Sequence, residues 1–144
     1  MAIFFMAILA AVGIALLVLS QTNLLVHRAS LGTKKSFYLA ESGIENGRRA
    51  LFDANGGGET FGDRLRHAAG DDDAISFDAY ALRAEYDSDG NFVGLSGYGD
   101  DVPLRDTSFL GEGFYAAFLT NDPLDGRTNT SDSNSRAMIT GVGV

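Results

Sequence analysis

No charged side chain occurs between Met1 and Val26. Up to Leu19 the run holds only apolar residues and Gly13, and its bulky members (Phe4, Phe5, Ile8, Leu9, Val12, Leu16 and Leu19 among them) fall on every face of a helix. A helix that is apolar all round must be buried in protein or in lipid. At about 1.5 Å per residue, roughly twenty such residues cross a hydrocarbon core of about 30 Å. The remainder of the chain is polar, acidic and rich in Gly. The chain therefore reads as an apolar rod, residues 1–26 of a helix spanning 1–54, carrying a β-rich head over residues 55–144.

The charge divides along the same line. Through Ala54, five basic residues face three acids; beyond it, six basic residues face sixteen acids, within a net charge of −8. An acidic head repels phosphate backbones, so nucleic acid is not an expected partner. There is no cysteine, hence no disulfide and no thiolate metal site.

A secretory signal would show a basic start, a shorter apolar core and a small-residue cleavage site, and this run has none of them. A membrane anchor fits better. However, His27, Arg28, Lys34 and Lys35 come after the apolar run, and the positive-inside tendency would hold the head in the cytoplasm. An acidic, lysine-poor head suits an outer surface instead. A basic leader ahead of Met1, removed by processing, would resolve the conflict.

The helical signal continues past the apolar run. No proline occurs from Gln21 to Ala54, and Glu45 stands three and four residues before Arg48 and Arg49, a spacing that supports a helix. At 100° per residue, Gly32, Ser36, Ala40, Gly43, Gly47 and Ala50 fall within an arc of roughly 80°, bordered by a seven-spaced row of Phe37, Ile44 and Leu51. Small residues let a sheet or another backbone approach closely. This face is the expected seam between helix and head, with close approach to a neighbouring subunit as the alternative, on the same or a different stretch. The stop is expected near Asp53 or Ala54, before Asn55-Gly56-Gly57-Gly58. Gly13, Gly32 and Ser20-Gln21-Thr22-Asn23 are the expected places for a bend.

Asp63–Ala69 has the look of a short helix. From Tyr80 the period changes to two: Tyr80, Leu82, Ala84 and Tyr86 alternate with Ala81, Arg83 and Glu85, predicting a half-buried strand. Asp87-Ser88-Asp89-Gly90-Asn91 is turn chemistry, and Phe92–Leu95 completes a hairpin. Further strands are expected over Val102–Leu110, Phe114–Leu119 and Ala137–Val144. Asn121–Arg136 should be an exposed loop. The fold class is α+β: a long protruding N-terminal α-helix packed by its second half on a small antiparallel β-sheet head.

Signals for chemistry are sparse. Neither His27 nor His67 has a partner at catalytic or metal-binding spacing, so no enzyme and no cofactor is expected. The Asp87–Asn91 stretch resembles the opening of a calcium loop but lacks the downstream bidentate Glu, and it reads as a solvated turn. Asp71-Asp72-Asp73 and Asp100-Asp101 read as solvated loops. Asn129-Thr130-Ser131 matches a glycan acceptor pattern.

The segment Phe37-Tyr38-Leu39-Ala40-Glu41-Ser42-Gly43-Ile44-Glu45, at this distance behind an apolar rod, resembles the start of type IV pilin-like proteins. It is closest to their PilX-like branch. Leu95-Ser96-Gly97-Tyr98-Gly99 also resembles the strand region of such heads. The resemblance covers residues 1–54 well and 78–110 loosely.

It implies a leader cut by a prepilin peptidase, with Met1 as the mature first residue and a site of N-methylation. It implies an inner-membrane pool before assembly, then a homo-oligomeric extracellular helical filament built by pilus assembly machinery. Phe4, Phe5, Ile8, Leu9, Val12, Leu16 and Leu19 would pack between subunits. Pilins usually carry Glu at the fifth mature position, where this chain has Phe5, and often a proline near position 22, where it has Thr22. The missing Glu is shared with tip-type minor pilins. Two alternatives therefore stand beside a main structural subunit: a minor pilin or pseudopilin that initiates or caps a fibre, and a single-pass envelope protein whose head binds a partner.

Overall fold

A computed structural model of the chain describes residues 2–70, 72–111 and 113–144, without the side chains of Ala2, Ile3, Ala7, Ala54 and Asn55. Its elements run α1 (Ala2–Gly56), α2 (Phe61–Ala68), β1 (Arg83–Tyr86), β2 (Phe92–Ser96), β3 (Arg105–Leu110), β4 (Gly113–Asn121) and β5 (Ala137–Gly143). Two compact units are distinguished, one ending at Lys35 and the other running Ser36–Val144.

α1 is helical through all the places where a bend was expected, including Gly13, Ser20–Asn23 and Gly32. Polar side chains along it bond back to the helix: the Thr22 hydroxyl donates to the Val18 carbonyl at 2.9 Å, and the Thr33 hydroxyl to that of Ala29 at 3.1 Å. Such hydroxyls need neither water nor a partner to be satisfied. The helix ends at Gly56, two to three residues beyond the expected stop.

Within the second unit, β3, β4 and β5 form an antiparallel sheet in that order, and β1 pairs with β2 as a separate hairpin. β4 is central and the most buried strand; Ala116–Asn121 are all buried. Its register with β5 pairs Tyr115 with Gly143, Ala117 with Gly141, Leu119 with Ile139 and Asn121 with Ala137. Side chains of paired residues share a face, and successive residues alternate between faces. One face therefore carries Tyr115, Ala117, Leu119, Ile139, Gly141 and Gly143, and α1 packs there. The other carries Phe114, Ala116 and Phe118. On that side Phe114 meets Phe92 of the hairpin at 4.4 Å between ring centroids, and Phe118 stacks on Phe77 at 4.3 Å. The sheet thus lies between helix and hairpin.

The main core joins Leu51 of α1, Leu65 and Ala68 of α2, Ala69, Ile75 and Leu119 of β4, with Phe61, Phe77, Leu104, Ala137 and Ile139 packed against it. α2 begins with a capping box. Thr60 Oγ1 accepts from the Asp63 N–H at 3.2 Å, and the Asp63 carboxylate accepts from the Thr60 N–H at 3.0 Å.

Three expectations need correction. The first strand starts at Arg83, not Tyr80, and all four of its residues are exposed. Upstream, the Tyr80 N–H is taken by the Asp78 carboxylate and the Ala81 N–H by the Asp78 carbonyl, so a turn claims donors the ladder would need. Asp101 is buried rather than solvated, and its carboxylate accepts from the Ser76 N–H and hydroxyl, both at 3.1 Å. The loop after β4 is not exposed throughout, because Asn121 and Asp122 are buried at its root.

Candidate membrane helix and helix–sheet seam

Every described side chain from Phe4 to Val26 is exposed. Phe4 and Phe5 are each 70% exposed, and Ile8, Leu9, Val12, Leu16 and Leu19 are all exposed as well. By length and composition α1 is long and apolar enough to cross a membrane. An apolar surface of this extent on a folded chain marks a membrane or protein contact. Met1, the predicted methylation site, lies outside the described residues, as does Asp71.

The seam comes from the second half of the same helix. Its buried residues are Leu39, Gly43, Gly47 and Leu51, four apart throughout. Residues spaced by four form a ridge inclined to the helix axis, so this stripe crosses the sheet obliquely. At its middle, glycine allows backbone contact. A Cβ at Gly43 would come within 2.7 Å of the Ala116 carbonyl oxygen. One at Gly47 would meet Ala117 Cβ, Ile139 Cγ2 and Leu104 Cδ2, each at 3.2 Å. The strand replies in kind: a Cβ at Gly141 would strike the Ala40 carbonyl, and one at Gly143 the Ser36 carbonyl.

Of the predicted seam residues, Ser36, Ala40, Gly43, Gly47 and Leu51 come together on the sheet. Ile44 sits at the margin with its Cγ1 beside Gly141, and is 37% exposed. Phe37 is exposed, its ring edge-on to Tyr38 at 6.0 Å. A Cβ at Gly32 would meet nothing within 4 Å. The physical reason lies in the two spacings: four residues advance 40° around the helix, whereas seven fall back 20°. A stripe along the four-spaced row leaves Phe37 behind. Leu39, the upper end of the stripe, escaped the sequence reading, as did Gly141 and Gly143. The signal for the glycines is their spacing of two, which puts both on one face of a strand.

Two acidic loops are held by their own carboxylates. The Asp87 carboxylate accepts from the Asn91 N–H at 2.8 Å, the Asn91 side-chain amide at 3.1 Å and the Asp89 N–H at 2.9 Å. The two Asn91 donors chiefly hold its pKa below the ordinary value, with the Asp89 N–H adding to them. The Ser133 hydroxyl and N–H do the same for Asp125. Buried Asn121 donates through its amide to the carbonyls of Asn129 and Ser131 at 3.0 and 2.8 Å, which ties the loop down. Asn129 is exposed, and its side-chain nitrogen, the atom a glycan would take, donates to the Asp125 carbonyl at 3.1 Å. Among the described residues, no group of three or more His, Cys, Asp or Glu is placed to hold a metal ion.

No protein-family model, curated protein or solved structure matches this chain.

Proposed function

We propose that this chain is a structural subunit of an extracellular type IV pilus-like helical filament, polymerising through residues 1–26. The observation that carries the reading is the division of labour along α1. One half buries a four-spaced stripe in its own sheet, while the other leaves apolar side chains exposed from Phe4 to Val26. Such a surface suits two environments in turn, the lipid of an inner-membrane pool and the core of a filament built from like helices. The role is mechanical rather than catalytic. Transfer from membrane to filament would draw on assembly machinery, and a prepilin peptidase would supply the mature chain.

The test is mass spectrometry and electron microscopy on a sheared cell-surface fibre fraction. This chain dominating the fibres is the expected result. Its retention in the membrane fraction, scarce or absent in fibres, would overturn the reading.

A second reading, a minor pilin that initiates or caps a fibre, draws on Phe5. Pilins usually place there a Glu held to pair with a neighbouring subunit's amine; here an exposed phenyl ring stands instead. An ion pair in an apolar core can be replaced by packing, so polymerisation does not require the Glu. Abundance along the fibre separates the two readings.

A further inference from the structure

The second unit carries an open groove of about 680 Å³ on the helix side of the sheet. Its apolar lining includes Ile44, Leu51, Phe52 and Ile139, and its rim carries Arg48 and Arg49. Phe52 is 78% exposed, so the apolar surface continues out of the groove. Glu45 lies 3.4 Å from Arg48 and offsets its charge. Arg49 has no ion-pair partner among the described residues. The result is a cationic, apolar site on a head that is otherwise strongly acidic.

The opposite side of the sheet presents its complement. The β1–β2 hairpin lies there, and its tip carries Glu85, Asp87 and Asp89 with no basic residue between Arg83 and Asn91. Tyr86 stands among these acids, 58% exposed, its ring edge-on to Phe92 at 6.0 Å. The tip is held in one shape. The Asp87 N–H donates to the Asn91 carbonyl at 2.9 Å, and the Asp87 side chain accepts from both Asn91 donors and from the Asp89 N–H. A rigid turn loses little entropy on docking.

We infer that the groove between α1 and β5 receives the acidic hairpin tip of a second copy of this chain, with Tyr86 over the apolar floor and Asp89 facing Arg49. Charge complementarity fixes the partner: an acidic, tyrosine-bearing turn matches an arginine-rimmed apolar groove, and this chain carries both. Arginine also sits favourably over a tyrosine ring. Because groove and tip lie on opposite faces of the sheet, the contact joins unlike surfaces. Such a head-to-tail contact generates a ring or an open chain of copies, and not a two-fold dimer. The inference rests on the filament reading and assigns it a contact between heads, separate from the apolar rod.

The chain has no cysteine, so engineered thiols report without background. Arg48→Cys and Ser88→Cys are placed together in the full-length chain, and assembled fibres and detergent-solubilised protein are treated with a short bismaleimide. The expected result is a ladder of covalent dimers, trimers and longer species, whereas mixed single-cysteine variants stop at dimers. Adding Arg49→Glu should cut the ladder at least about tenfold by setting like charges together, and Asp89→Arg on top should restore it. Fibres that form without this cross-link would overturn the contact and leave the filament reading standing. A ladder from solubilised chains that never make fibres would support the contact and sink the filament reading. Absence of both ladder and fibres would overturn both.

Discussion

Gly141 of β5 lies against the carbonyl of Ala40 in α1, so closely that a methyl group on Gly141 would run into it. The contact joins two residues 101 positions apart, and it shows how the second half of the helix is held to a small sheet. Close backbone approach gathers many weak dispersion contacts, each of about 0.1–0.2 kcal/mol.

Gly141→Ala should therefore destabilise the head. Overpacking against a backbone atom, which cannot swing away as a side chain can, costs about 1–3 kcal/mol. Gly43→Ala should act in the same direction through Ala116. Gly32→Ala is the control: with open space around it, the helix should gain up to about 1 kcal/mol. Chemical denaturation of the three variants in one detergent checks the order. Gly141→Ala as stable as the parent would mean that helix and strand do not approach this closely.

The buried Asp101 carboxylate pins the segment before the hairpin by accepting both donors of Ser76. Asp101→Ala should cost about 1–3 kcal/mol, because the Ser76 N–H loses its acceptor. Hydrogen exchange at the Ser76 amide should quicken well beyond that at β4 amides. Unchanged exchange at Ser76 would contradict the bond.

Acid should loosen the start of α2. The Thr60 hydroxyl chiefly, then the Thr60 N–H and the Arg66 guanidinium, hold Asp63 at a pKa of about 2, against an ordinary 3.8. The folded value is depressed, so the stabilisation is complete above the ordinary value and is lost as pH falls from about 4 towards 2. NMR titration of the Asp63 carboxyl should give a midpoint near 2. Thr60→Ala should move it upward, and a midpoint indifferent to Thr60 would remove the capping argument.

Leu9→Asp or Leu16→Asp should abolish filaments while leaving the head folded, since an unpaired carboxylate in an apolar contact is strongly disfavoured. Electron microscopy reports the fibres and near-ultraviolet dichroism the head. Normal fibres from either variant would count heavily against burial of the rod.

The parts of this chain that depend on near neighbours were legible in its residues. The apolar rod, the oblique row of small residues at Gly43 and Gly47, and the Asp87–Asn91 turn all come from residue type and short spacings. Helix periodicity and turn hydrogen bonds involve residues only a few positions apart, so the sequence determines them locally. The tertiary structure decided what meets across long separations. Leu39 is buried and Phe37 exposed because the sheet crosses the helix along one ridge and not another. Asp101, in a loop, and Asn121, at the end of β4, are polar residues, yet both are buried, because donors or carbonyls elsewhere in the chain give them partners. Gly141 looks like a weak spot in a strand until Ala40 is seen beside it. These outcomes depend on the register of β4 with β5 and on which sheet face the helix covers, and that information exists only once the chain has closed on itself.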